Sequence, residues 1–480
     1  AQNFTTETNS YNVAVGSQAG ISVTTGNQNT IVGGLAGDAF TTGTDNVAVG
    51  YAALSAEDAH GLNVAVGSQA LRVQNAGANA YNVGIGYNAG GAVTTGIVNT
   101  IIGGLAGDAL TDADNNVVMG YAALTSDTLG SRSTAIGTAA LRNQNFTTAF
   151  DSYNTAVGFS AGNAITTGAS NTIVGALAGD ALTNADFNVA LGRSALTDDT
   201  LGSRTVAIGY NALGTQNFTT AINTANTAVG FQAGVAVTTG TDNTFVGSDC
   251  GDGTDDGGNN TAMGSSALSA NCGSFNTAVG AAALNACTGS DNTALGYAAG
   301  FQVTSGTNNL ALGHDALRSG SPGGPASSDN NVIGLGDENI ASFHCQVALT
   351  VSSDQRDKTD FVDLDLGLDF VKGLNPVTYY WDKRAKYLNR NNEDGTPNEN
   401  YDLDSVTPDG THKEDWMDVG FTAQSVQALE EAAGYTSSAK KNLTVSVNSD
   451  GKQLGLRYEK FIPILVKAIK DQDAIITSLT

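Results

Sequence analysis

One short motif, N-[VT]-A-[VIL]-G-x-x-A-[GL], returns along the chain with a period of 17 residues, and no other feature limits the possible folds as much. Clear copies are Asn12-Val13-Ala14-Val15-Gly16, Asn46-Val47-Ala48-Val49-Gly50 and Asn276-Thr277-Ala278-Val279-Gly280. Copies begin at 12, 29, 46, 63, 82, 99, 116, 133, 154, 171, 188, 205, 226, 243, 260, 276, 292 and 309. Gaps of 19, 21 and 21 residues interrupt the series every fourth unit, so the larger module is a quartet of about 70 residues.

A unit this short cannot bury an apolar face by itself, but identical units stacked one per coil can. The expected fold is therefore mainly β, a parallel β-solenoid of about 17-residue repeats. Asparagine at the first position should form a ladder of side-chain amides along the stack. Strand periodicity sends the second and fourth positions to one face and the third to the other. The third position is almost always Ala, so both faces read as buried, the Ala face against neighbouring chains. Three chains around an axis would close such a fibre. Once per quartet the third position is bulky (Ile31, Ile101, Ile173, Phe245), and the residue after Gly is then small (Gly34, Gly104, Ala176, Ser248). Large and small are expected to trade places across a crowded site. No proline precedes Pro322, in keeping with unbroken coil-to-coil pairing. The opening Ala1-Gln2-Asn3-Phe4-Thr5-Thr6 repeats the later quartet spacers, so further repeats or an anchor are expected upstream.

These repeats resemble the head of trimeric autotransporter adhesins, whose N-x-[VA]-[IV]-G core they share over about residues 10–317. The resemblance implies a trimeric left-handed parallel β-roll. It says little about function, since one fold hosts many.

The chain carries a formal charge of −25. Before Ser353 there is no lysine, and 6 Arg face 24 Asp+Glu, a net of −18; after it, 15 Lys+Arg face 22 Asp+Glu, a net of −7. Neither half has the basic footprint of a nucleic-acid binder, and no run is apolar enough for a membrane span. Cys250, Cys272, Cys287 and Cys345 fit no zinc spacing. Cys272 and Cys287 lie in corresponding loops of adjacent repeats, where a disulfide is conceivable, but small buried thiols are the expected reading. Asp252, Asp255 and Asp256 are expected to be a solvated acidic loop rather than a calcium site. Tyr51, Tyr121, Tyr210 and Tyr297 are expected to pack between coils rather than bind glycans. No cofactor and no metal is expected.

Ser319-Gly320-Ser321-Pro322-Gly323-Gly324-Pro325 reads as a linker, and 332–351 as two or three strands of a stalk. This sets domains at 1–317, 318–352 and 353–480. A short helix is expected over 364–372, a strand over 377–381, a loop over 390–411 and a helix over 423–433. The last helix should run from Tyr458 to the end, with Ile462, Leu465, Ile469, Gln472, Ile476 and Leu479 spaced as in a coiled coil.

Four motifs stand in order in this tail: Ser353-Asp354-Gln355-Arg356-Asp357-Lys358, Leu374-Asn375-Pro376-Val377-Thr378-Tyr379-Tyr380-Trp381, Gly420-Phe421-Thr422-Ala423-Gln424-Ser425-Val426, and Tyr458 through Ile469. Together they resemble the C-terminal intramolecular chaperone of endosialidase-type phage tail fibres. The resemblance implies a small α+β domain that registers three chains and then cuts itself off at Ser352–Ser353. Ser353 would be the nucleophile and Lys358 the base, with Asp354 and Arg356 in support. A lysine serves as base only where burial strips its charge, which a folded, assembled site can do. This would be an autocatalytic peptidase acting once on its own chain, with no external substrate. Asp357 is a candidate to hold Lys358 in an ion pair and slow it.

The expected protein is a homotrimeric phage tail fibre or appendage that meets a glycan or protein receptor on the host surface. It would be assembled in the host cytoplasm and carried on the virion, with neither nucleic acid nor membrane as partner. The alternative is a structural or adhesive cell-surface filament using the same assembly domain. A glycan-cleaving tailspike is a weaker third reading, because no carboxylate pair stands at a defined separation.

Overall fold

The computed structural model describes residues 9–340, 342–346, 351–389, 398, 401–436, 441, 443–448 and 450–480. The spacer copy at Ala1–Thr6 lies outside them. The chain forms two compact units, Ala1–Asp291 and Asn292–Thr480. The boundaries expected at 317 and 352 both fall within the second.

In the first unit each repeat contributes one three-residue strand, from Val13–Val15 and Thr30–Val32 through to Thr277–Val279. Successive strands pair parallel with equivalent positions aligned, as in Thr30↔Val47, Ile31↔Ala48 and Val32↔Val49. The two longest spacers add short second ladders, Gly130–Ser131 with Phe150–Asp151 and Gly202–Ser203 with Ile222–Asn223. The stacked β-solenoid expected from the period is the observed architecture.

The asparagine ladder forms, with a different wiring. Most first-position backbone N–H groups donate to the side-chain carbonyl of the asparagine one coil earlier, as from Asn46 to Asn29 at 3.0 Å and Asn99 to Asn82 at 2.8 Å. Where Ser133 and Thr205 interrupt the column, Asn154 and Asn226 turn instead to the hydroxyls of Ser152 and Thr224. Each Nδ2 donates to a turn carbonyl, as from Asn29 to Gly43 at 2.8 Å and Asn171 to Ala185 at 2.8 Å. Amide-to-amide bonds, such as Asn63 to Asn46 at 3.3 Å, are the minority. The column is fully buried, where an unmade bond costs about 1–3 kcal/mol per group. Asparagine fits because one short side chain both accepts from the next coil and donates to its own. The glycine closing each strand is required by close approach: at Gly33 (φ +136°) a Cβ would stand 2.4 Å from the carbonyl oxygen of Gly50.

The assignment of faces corrects the sequence reading. Third-position residues point into the coil's own interior: Ala48, Ala65, Ala135 and Ala207 are fully buried, while the second and fourth positions face outward. A coil this narrow admits only a small residue opposite a corner leucine, Ala against Leu54 and Leu71 and Val118 against Leu124. The size trade is real, but its partner is the corner residue. Where the third position is bulky the corner is Gly: a Cβ on Gly20 would be 2.8 Å from Ile31 Cδ1, on Gly90 2.9 Å from Ile101 Cδ1, and on Gly251 2.6 Å from the Phe245 ring. Gly34, by contrast, faces the ring of Tyr51 at an ordinary 3.8 Å. The corner backbone is left-handed in both versions (Gly37 φ 50°, Leu54 φ 49°). For leucine that conformation costs about 1–2 kcal/mol, which burial of the side chain, worth about 1.5–3 kcal/mol, offsets.

The second unit opens with three more coil strands, Thr293–Leu295, Leu310–Leu312 and Ile333–Leu335, in parallel register. The expected linker is thus a corner of one further coil, with Ser319 and Ser321 buried, and among the described residues the expected stalk supplies only that last strand. The repeat went unseen there because Val332 occupies the asparagine position. Its N–H still bonds Asn309 Oδ1 at 2.9 Å, but it has no amide with which to continue the ladder.

Beyond Ser353 the chain folds around Leu366, Phe370, Val426, Val445, Phe461 and Ile464. The elements are a helix at Leu368–Gly373, a strand Val377–Tyr380 antiparallel to Met417–Gly420, a helix at Ala423–Ala432, a hairpin of Val445–Val447 with Leu454–Leu456, and a closing helix at Phe461–Leu479. Sequence reading placed the helices and the first strand but missed the hairpin. Much of the loop expected at 390–411 lies outside the described residues. Among the described residues no helix is long and apolar enough to cross a membrane.

Candidate functional site

Ser353 and Lys358 flank one turn of 3₁₀ helix, Gln355–Asp357. Asp354 caps this turn, its carboxylate accepting the Arg356 N–H at 2.9 Å, as short polar side chains do at helix starts. The same carboxylate takes a two-pronged contact from the Arg356 guanidinium, with Nη2 to Oδ2 at 2.6 Å. This arginine, and the capping bond after it, hold the Asp354 carboxyl below the usual range. The turn reverses the chain just far enough to return Lys358 to the start of the motif. Lys358 Nζ lies 2.5 Å from Ser353 Oγ and 3.3 Å from the Ser353 carbonyl oxygen.

The four motif residues anticipated from sequence therefore sit together, with Ser352 at their edge and all of them exposed. Asp357 makes no ion pair with Lys358 among the described contacts; the lysine is directed to the serine instead. The amine and hydroxyl are placed for proton exchange, but the single chain offers nothing around them that excludes water.

A second feature is the outward face of the coil strands. Val13, Val15, Met119, Leu191 and Met263 are 42–58% exposed at its second and fourth positions. Exposed aromatic residues flank it at the position after Gly (Tyr51, Tyr87, Tyr121, Phe159) and at the position before Asn (Tyr11, Tyr81, Tyr153, Phe187). Of the tyrosines expected to pack between coils, Tyr210 stacks on Phe231 and Tyr297 on His314, while Tyr51 and Tyr121 lie over Gly34 and Gly104 of the coil before and keep 55% and 61% exposure. In the closing helix Phe461, Ile464 and Ala468 pack inward. The coiled-coil positions Ile462, Leu465, Ile469, Ile476 and Leu479 are all exposed.

All four cysteines are free thiols, three of them buried, and burial pushes Cys250 up to about 12. Asp252, Asp255 and Asp256 do not converge into a cation-sized group. Among the described residues one such group exists, Glu57, Asp58 and His60, which sequence reading passed over. It also passed over Glu430, a buried carboxylate that accepts Thr444 N–H at 2.5 Å and Thr444 Oγ1 at 2.6 Å and so ties a helix to the hairpin. A glutamate in a polar helical stretch gives no sign of burial, so no sequence signal could have found it.

Residues 353–435 match the family described as chaperone of endosialidase. No curated protein matches the chain. Residues 353–435 are thus similar to an endosialidase-type chaperone and follow a β-solenoid of repeats.

Proposed function

We propose that this chain is one third of a phage tail fibre or appendage for host-surface attachment, whose chaperone domain assembles the trimer and then cuts itself away at Ser352–Ser353. The observation that carries the reading is the 2.5 Å approach of Lys358 Nζ to Ser353 Oγ, in the segment that matches the chaperone family.

The chemistry follows from the geometry. Neutral Lys358 takes the Ser353 hydroxyl proton as Oγ attacks the Ser352 carbonyl carbon. The C–N bond breaks, the Ser353 nitrogen receives a proton, and Ser352 is left as an ester on Oγ. Water then cleaves the ester, giving a Ser352 carboxylate and restoring the serine at a new amino terminus. In the single chain water reaches the dyad. Packing of neighbouring chains over it would exclude that water and favour the neutral amine, so cleavage would follow assembly.

Support for the homotrimer comes from two unpartnered apolar stripes: the outward strand face of the coils and the outer face of the closing helix. Other copies of this chain are the fitting occupant, because both stripes repeat along the full length of their elements and self-complementary surfaces close into symmetric oligomers. The three-chain interface is thus assigned to the Val/Thr face, in place of the Ala face. The exposed tyrosines at its rim are the first candidates for contact with a host glycan or protein.

Denaturing electrophoresis with intact-mass analysis tests this reading. Wild type should give two fragments meeting at Ser352–Ser353, and Ser353→Ala a single chain. An uncut wild-type chain that is nonetheless trimeric would remove the peptidase role and leave the assembly role.

A further inference from the structure

The internal repeats provide their own controls, and one corner departs from its siblings. At equivalent corners of the second and third quartets a fully buried aspartate, Asp127 or Asp199, receives three hydrogen bonds. For Asp127 they come from Gly130 N–H at 3.1 Å, Phe146 N–H at 3.0 Å and Gln144 Nε2 at 2.6 Å. Asp199 has the same set from Gly202, Phe218 and Gln216.

In the first quartet three residues differ together. Glu57 replaces the aspartate, Asp58 stands where the siblings have Thr128 and Thr200, and His60 stands where they have Gly130 and Gly202. The changes are coupled by space. A Cβ on Gly130 would lie 2.1 Å from Asp127 Oδ2, so a histidine there requires its carboxylate to be carried elsewhere. Glu57 is still fully buried, yet it receives only His60 N–H at 3.1 Å and Gln74 Nε2 at a long 3.4 Å. The second backbone donor has gone with the shorter spacer. The His60 side chain is 27% exposed, but its Nδ1 atom is buried 3.4 Å from Glu57 Oε1 and makes no hydrogen bond. Ligand atoms of Glu57, Asp58 and His60 all lie within 4.8 Å of one another.

We propose that Glu57, Asp58 and His60 bind a divalent cation of the zinc class at this corner. A buried carboxylate short of donors and an imidazole nitrogen that makes no hydrogen bond both gain from a cation between them. One nitrogen and two carboxylate oxygens favour a borderline ion over calcium or magnesium, which prefer all-oxygen shells. Asp58 and His60 are partly exposed, which leaves an entry path and room for their side chains to close on the ion. The His60 backbone is already fixed, its carbonyl accepting Asn46 Nδ2 at 3.0 Å.

The test is calorimetric titration of the tag-free, chelator-treated full chain with Zn²⁺, beside a Glu57→Asp/Asp58→Thr/His60→Gly variant that rebuilds the sibling corner. Wild type should take up one more equivalent per chain than the variant, with Mg²⁺ and Ca²⁺ failing to compete. Asp58→Thr alone, outside the buried network, should weaken that equivalent by about tenfold or more. Equal stoichiometry and affinity in wild type and both variants, or no uptake at all, would overturn the proposal and leave a His60–Glu57 ion pair as the role of these residues.

Discussion

In the repeat unit a typical hydrogen-bond partner stands 17 residues away, as for Asn46 and Asn29. In the chaperone domain Tyr435 reaches Asp365 and the Leu368 N–H reaches Asp471, spans of 70 and 103 residues. Each coil meets only its neighbours, and every quartet offers nearly the same surfaces as the next. Such an array can nucleate at many points and pair out of register at little cost. The C-terminal core closes only when distant segments meet, so its folding defines a single arrangement. The contrast gives a physical reason for joining the two: repetition supplies length cheaply, and on the proposed trimeric reading the non-repeating domain would supply a unique starting register.

The largest way to break that contrast is to remove 353–480 before synthesis. The repeats should then fail to yield a soluble trimer by size-exclusion chromatography with light scattering, whereas Ser353→Ala, which keeps the domain, should assemble normally. Next in size is the coil interior. Ala48→Ile should overpack its corner by about 1–3 kcal/mol, and Leu54→Gly added to it should recover much of the loss, as the natural Phe245–Gly251 pairing within one coil implies; thermal melts of the single and double variants would show the coupling. Asn116→Ala leaves the Ser133 N–H and the Gly130 carbonyl without their side-chain partner. It should cost about 2–6 kcal/mol at roughly 1–3 kcal/mol per stranded group, read as a lower urea midpoint.

The smallest expected effect is a pH dependence. Burial holds the Asp127 and Asp199 carboxyls above their ordinary value of 3.8. A carboxyl raised in the folded state favours folding when protonated. Its contribution is complete below 3.8 and is lost as pH rises through the raised native value. Asp127→Asn should flatten that part of the stability–pH curve relative to wild type. An unchanged curve would mean that the three donors already balance the burial.

The coil period, the asparagine column and the bulky positions Ile31, Ile101, Ile173 and Phe245 were legible because repetition displays the same constraint many times. Which face Ala occupies was not, since a period of two separates faces without saying which is inside. Only the narrowness of the coil, visible once Leu54 and Gly37 share one corner, decides it. The Ser353–Lys358 pairing could be anticipated from its motif. Its exposure in the single chain could not, nor could the role of Glu57, whose departure matters only against the three-dimensional environment of Asp127.

The last coil carries a further consequence. Because Val332 accepts the ladder's pairing without renewing it, the stack presents no asparagine at that end for another stack to copy. Exposed strand edges are templates for uncontrolled end-to-end growth. Here a single missing amide leaves a further coil no acceptor, so the boundary of the stack on this side is written into the sequence rather than set by supply of material.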